Sequence, residues 1–121
     1  MEDSILDSIK KLLGAENMTE FDDNIIMFIN GSLNTLTQCG IGPKTGFRIT
    51  GDSETWDQFI TNDHIELYEH CKEFVYMDVK MIFDPPIGSV MDYYKLRREE
   101  VLWRIKEQAE PADFFEVNSD G

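Results

Sequence analysis

The fold is decided by residues 65–83, IELYEHCKEFVYMDVKMIF, the longest apolar run of the chain. Its apolar residues recur at helical spacing and form one stripe: Ile65, Tyr68, Cys71, Val75, Val79 and Ile82. Pro85 and Pro86 follow directly after Asp84, and residues before proline avoid helical angles. We therefore expect a helix from Asn62 or Asp63 to Phe83 at the centre of the core.

Two helices precede this run. The first is predicted over about residues 3–13, with Asp3 or Ser4 as its cap and Gly14 closing it in a left-handed conformation. The second opens at Thr19 and ends near Gly40. Gly31 lies inside it at a helix-propensity cost of about 1 kcal/mol relative to alanine. That glycine indicates a close approach between helices.

Residues 40–54 separate the second long helix from the central one. This stretch contains four glycines and a proline, which break helices. Within it, residues 47–50 alternate apolar and polar side chains, a pattern that fits either a short strand or an extended arm. Ser53 or Thr55 can then cap a short helix that carries Trp56.

A fourth long helix is predicted from about Ser89 to Ala109, before Pro111. The fold class is therefore all-α: a four-helix bundle-like domain with a Gly-rich loop or short β-arm between helices 2 and 3. We assign residues 1–109 to a helical domain and residues 110–121 to an acidic C-terminal tail. The length of 121 residues fits a single domain.

Composition excludes several classes of function. Eleven Lys and Arg against 24 Asp and Glu give a net charge of −13, so general binding to nucleic acid or to anionic membranes is not expected. No stretch is long and apolar enough for a membrane helix, and the N-terminus lacks the order of a signal peptide. Cys39 and Cys71 are too few for a disulfide scaffold, so we expect free buried thiols in a reduced, intracellular setting.

No catalytic or metal-binding constellation is visible. His64 and His70 are six residues apart and point about 120° away from each other on a helix. The acidic residues resemble solvated helix faces rather than a ligand set, and residues 40–44 lack the spacing of a phosphate-binding loop. We therefore predict no enzyme activity, no metal and no cofactor.

Two charged features remain as candidate binding surfaces. The first is a basic band on the fourth helix, formed by Lys95, Arg97, Arg98 and Arg104. It fits either ion pairs within the helix, such as Glu100 with Arg104, or a face that meets acidic residues of another copy. The second is the acidic tail, where Phe114 and Phe115 could order on a partner.

Four segments of the chain resemble those of a known protein family: residues 21–30, 36–43, 73–86 and, in the fourth helix, residues 98–105. They read FDDNIIMFIN, LTQCGIGP, EFVYMDVKMIFDPP and REEVLWRI. With four helices and a glycine-rich excursion, the chain resembles the head–tail connector (adaptor) proteins of tailed bacteriophages over roughly residues 4–109.

The resemblance implies a structural virion protein of the head–tail interface, made in the cytoplasm of the bacterial host. Such proteins form a ring of about a dozen copies under the portal protein, extend the DNA channel and dock tail or stopper proteins. In the family the C-terminal helix and tail commonly reach toward the portal, which here corresponds to the fourth helix and residues 107–121. The loop between helices 2 and 3 makes contacts below or between subunits, and its candidates here are Lys44, Phe47, Arg48 and Ile49.

The charge fits this reading, because DNA must pass through a channel without binding to it, and an acidic lumen repels phosphate. Two alternatives remain open at this point. One is another small phage tail-completion protein, and the other is an acidic inhibitor that mimics DNA. The dispersed acids and the basic band argue against mimicry. An enzyme of unknown type is a further possibility, but no group of residues supports it.

Overall fold

A computed structural model describes residues 4–60 and 65–120, and for residues 110–120 it describes the backbone alone. Five helices follow one another: α1 (Ile5–Leu13), α2 (Asp22–Gln38), α3 (Trp56–Phe59), α4 (Ile65–Phe83) and α5 (Ser89–Asp120). The described residues contain no β-strand, only an isolated antiparallel bridge between Ser4 and Thr55. The all-α prediction is confirmed.

Helix α4 is the central element, as its sequence predicts. It packs against α1, α2 and α5, whereas α5 packs mainly against α4. The core between the helices is continuous and is built mostly from residues with no exposed surface: Ile5, Ile9, Ile25, Ile29, Leu33, Leu36, Phe74, Val75, Val79, Val101 and Ile105. Ile65 and Ile82, at the two ends of the α4 stripe, are exposed, so only its middle contributes to the core.

Helix α1 has the caps that its sequence predicts. The Ser4 hydroxyl accepts a hydrogen bond from the Asp7 backbone N–H at 3.1 Å. Gly14 closes the helix at a φ of 74°, a left-handed conformation that glycine adopts without strain. Lys10, although almost fully buried, reaches Asp22 at 2.8 Å and so ties α1 to the first turn of α2.

The segment between α2 and α3 is an extended arm, so the arm rather than the short strand is the correct alternative for residues 47–50. The Asn30 side chain fixes this arm to α2 through two hydrogen bonds to one residue. Its Oδ1 accepts from the Ile49 N–H at 2.7 Å, and its Nδ2 donates to the Ile49 carbonyl at 3.0 Å. Phe47 packs on Phe59 with a ring-centroid distance of 5.4 Å. The arm is therefore held in one position.

The short helix α3 places Trp56 in the core. The Trp56 side chain is fully buried, and its Nε1–H donates to the Ser8 hydroxyl of α1 at 2.8 Å. Its ring also meets Tyr68 of α4 edge-on at 5.8 Å between centroids. The mini-helix thus closes the core where α1 and α4 meet.

Two helix boundaries predicted from the sequence, and the interpretation of Gly31, need correction. Helix α2 begins at Asp22 rather than Thr19, because residues 19–22 form a turn in which the Asp22 N–H donates to the Thr19 carbonyl. Helix α5 continues to Asp120 instead of ending near Ala109, since a proline removes one backbone donor but does not forbid a helix. Gly31 does not mark a close approach inside the subunit, as a Cβ there would have no described neighbour within 4 Å.

Candidate assembly surfaces

The basic band of α5 is largely engaged by carboxylates of the same chain. Arg97 forms a two-point ion pair with Glu73 of α4, at 2.8 Å from Nε and 3.1 Å from Nη2. It also lies 3.5 Å from Glu100, one turn along α5. Hydrogen bonding to Glu73 raises the pKa of the Arg97 guanidinium, so Arg97 stays charged. Arg97 therefore fastens α5 to α4.

Arg98 belongs to a polar contact that joins three helices. Its Nε donates to Asp78 Oδ1 of α4 at 2.6 Å, and its guanidinium stacks on the Phe74 ring at 4.8 Å. The other oxygen of Asp78 accepts a hydrogen bond from the buried Ser32 hydroxyl of α2. Asp78 is thus a shared partner for α2 and α5.

The remaining predicted residues of α5 lie at the surface or outside the described side chains. Arg104 is exposed and pairs with Glu100 at 2.9 Å, which confirms the ion pair expected within the helix. Lys95 is exposed. The tail residues Phe114 and Phe115 belong to residues 110–120, whose side chains are not described. The structure therefore leaves Lys95 and Arg104 as the accessible part of the basic band.

A second surface on α5 was not singled out from the sequence. Leu96 is 73% exposed and Trp103 is 60% exposed, seven residues apart and so on one face of the helix. Tyr93 extends that face by one turn. Val101 and Ile105, on the opposite side, are fully buried against the core. One feature of the sequence does indicate this surface. Helix α5 carries large apolar residues on two sides, a pattern typical of a helix that packs against two partners.

The loop residues divide into two groups. Lys44 and Arg48 are exposed, whereas Phe47 is half-buried and Ile49 is 1% exposed. The alternating pattern of 47–50 therefore sends its apolar side chains toward the core and Arg48 toward solvent. Within a folded subunit, a partner can reach Lys44 and Arg48 but not the Ile49 side chain.

Beside this loop lies a groove on the outer face of α2. It has a volume of about 470 Å³ and is lined by Asn30, Gly31, Asn34 and residues 45–48. Gly31, Asn34 and Met27 share the exposed face of α2, opposite the buried residues Ile29 and Leu33. The groove is therefore open to solvent and formed before any partner arrives.

The described residues offer no chemical centre. No three of their His, Cys, Asp and Glu side chains converge to hold a metal ion. Cys71 is buried, and burial raises the pKa of its thiol, so it is held as an unreactive thiol; Cys39 is partly exposed, not fully buried as expected. His70 contacts Gln108 at 3.2 Å, while His64 lies outside the described residues.

The description "Phage connector protein" belongs to the family model that matches residues 5–112 of the chain. The chain belongs to the phage connector protein family. The match spans nearly all of the helices described above, together with the arm and the groove. Comparison with curated proteins and with solved structures found no significant match.

Membership gives this connector a structural role in the phage, at the junction of head and tail. The family is structural rather than enzymatic. No helix in the described part of the connector is long and apolar enough to cross a membrane.

Proposed function

We propose that this connector forms a closed ring under the portal, extends the DNA channel and offers a docking surface to a tail or stopper protein. The observation that carries the proposal is the exposure of large apolar side chains on a family member whose role is assembly. Ile87 is 86% exposed, and Leu96, Trp103 and Tyr93 follow it along α5. Tyr93 and Leu96 lie one turn apart on one face, and exposed apolar patches of this kind mark protein contacts.

The two ends of the bundle serve different partners in this proposal. The end that carries the C-terminal segment 107–121, with Phe114 and Phe115, faces the portal. The opposite end, where Pro86 and Ile87 form the turn between α4 and α5, faces the tail or stopper protein. Lys95 and Arg104 on α5, and Lys44 and Arg48 on the arm, lie at contacts with neighbouring subunits.

The net charge of −13 suits a wall along which DNA slides, because an acidic lumen repels phosphate. Three of the acids, Glu73, Asp78 and Glu100, already pair with arginines of the chain. Those pairs interrupt the rows of free carboxylates that a DNA-mimicking inhibitor would need. The charge therefore supports a channel wall better than a mimic.

The test is to mix the purified connector with portal-containing heads of its own phage and to image them by electron microscopy. Ring-shaped density below the portal is the expected result, and heads that lack the portal serve as the control. Heads that remain bare at saturating connector concentration would contradict the proposal. Tight binding of duplex DNA by the assembled ring at physiological salt would contradict the repelling channel.

A further inference from the structure

We propose that Trp103 and Leu96 of one connector subunit insert into the groove beside Gly31 of the adjacent subunit. This contact rests on the proposed ring, and it names the two surfaces that would join each pair of neighbours.

Gly31 has no explanation inside the subunit. It lies in the middle of α2, where glycine is less favourable than alanine, and its backbone is helical. A Cβ at this position would meet nothing within 4 Å among the described residues. Neither backbone conformation nor internal packing therefore requires a glycine. A group that approaches α2 from outside the subunit would require one.

The groove above Gly31 is an open depression that a large side chain can enter. Asn30 and Asn34 line it from α2, and Phe47 and Arg48 line it from the arm. Its volume of about 470 Å³ exceeds that of an indole ring. The two hydrogen bonds between Asn30 and Ile49 hold the arm in place. A preformed groove loses little conformational entropy when it is filled.

The outer face of α5 carries side chains that fit such a groove. Trp103 and Leu96 lie two turns apart on the same face of α5, and each exposes more than half of its surface. Tryptophan provides a large, rigid contact and is enriched at the energetic centres of protein interfaces. Leaving an indole in water is unfavourable in a free monomer. The ring contact would remove it from water.

The placement of the two surfaces suits a ring. Helix α4 lies between α2 and α5, and both surfaces are on the sides of those helices that face away from the core. Each subunit therefore presents the apolar face on one side and the groove on another. A contact between two different surfaces repeats from copy to copy and closes into a ring when the rotation allows it.

Charges around the two surfaces are complementary. The face of Leu96 and Trp103 carries both signs of charge: Lys95 and Lys106 lie along one edge, and Glu99 and Glu100 lie between the two apolar side chains. Arg48 lines the groove, and Glu99 lies one turn before Trp103. Opposite charges around an apolar centre select the partner surface and its register.

The first experiment compares Gly31→Gln and Trp103→Ala with wild type in the assay with portal-containing heads. Both positions are exposed, so both variants should keep the wild-type circular dichroism spectrum and a cooperative thermal transition. Both should lose the ring density. Glu69→Gln, an exposed change on α4 away from both surfaces, is the matched control and should form rings. Normal rings from the Gly31→Gln variant would overturn the contact.

The second experiment maps the contact by cross-linking, with Cys39→Ser in all chains to remove the accessible thiol. Asn34→Cys and Glu107→Cys variants are mixed in rings and treated with a bismaleimide. Bridges between positions 34 and 107 of different copies are expected. Bridges from 34 to 34 or from 107 to 107, or rings without bridges, would overturn the proposal while leaving the ring intact. A wild-type chain that forms no ring would instead overturn the proposed function, and this contact with it.

Discussion

Arg98 of α5 donates a hydrogen bond to Asp78 of α4 at 2.6 Å, and this pair is the point at which the three long helices are tied together. The second Asp78 oxygen accepts from Ser32 of α2. Both side chains of the ion pair are about three-quarters buried, and the Arg98 guanidinium covers the Phe74 ring. Asp78 thus sets how α2 and α5 lie on α4.

Replacing Asp78 by alanine should destabilise the connector by about 2–4 kcal/mol, because Arg98 and the buried Ser32 hydroxyl both lose their partner. Urea unfolding followed by circular dichroism measures the change. Asp84→Ala is the control, since it removes an exposed ion pair with Lys80 and should cost less than about 1 kcal/mol. Equal losses from the two variants would show that Asp78 has no special role.

Two glycine-to-alanine changes should act in opposite directions. Gly31→Ala should stabilise the monomer by about 0.5–1 kcal/mol, because alanine favours a helix and meets no atoms there. Gly42→Ala should destabilise it by about 1–3 kcal/mol. At Gly42 the φ is 80°, and a Cβ would come within 2.5 Å of Phe59 Cε1. Thermal unfolding of both variants tests the two predictions. A loss of stability in Gly31→Ala would contradict the finding that the space around Gly31 is empty.

Local signals in the sequence predict the long helices well, because stripes, caps and breakers act over a few residues. Gly14 and the Glu100–Arg104 pair are examples, and both are found as predicted. Contacts between distant residues carry no such signal. The pairing of Arg98 with Asp78 spans 20 residues, and the hold of Asn30 on Ile49 spans 19. The charged band therefore resembled an outward face, although Arg97 and Arg98 are turned to α4.

The short helix α3 is a second case in which the sequence predicts the local structure but not the tertiary contacts. Its sequence predicts a capped turn around Trp56, and Thr55 does precede the helix, with its N–H donating to Gln58 Oε1 at 3.0 Å. What this turn does follows only from the tertiary structure. The side chain of Trp56 lies between Ser8 of α1 and Tyr68 of α4. A local pattern cannot reveal two partners so far away in the chain.

Trp56→Ala should cost about 3–5 kcal/mol, enough to unfold a marginal domain, because it leaves a large cavity in the core. Ser8→Ala should cost about 1–3 kcal/mol, because the buried indole N–H loses its acceptor. Trp103→Phe, at an exposed position, is the control and should leave stability within about 0.5 kcal/mol. Urea unfolding of the monomer gives the ranking, and a Trp56→Ala variant as stable as wild type would contradict a core role.

Glu54 should make the stability of the loop depend on pH. Partial burial alone would raise the pKa of its carboxyl, but hydrogen bonds from Thr50 and Gly51 outweigh that effect and lower the pKa below the ordinary 4.5. A carboxyl with a lowered pKa stabilises the fold fully above its unfolded pKa, and this contribution is lost as pH falls through the folded pKa. The melting temperature of Glu54→Gln should therefore be lower than that of wild type at pH 7. The difference between the two melting temperatures should shrink below pH 4.5. Thermal melts across that range test the prediction, and a gap that stays constant with pH would show that the Glu54 charge is not the cause.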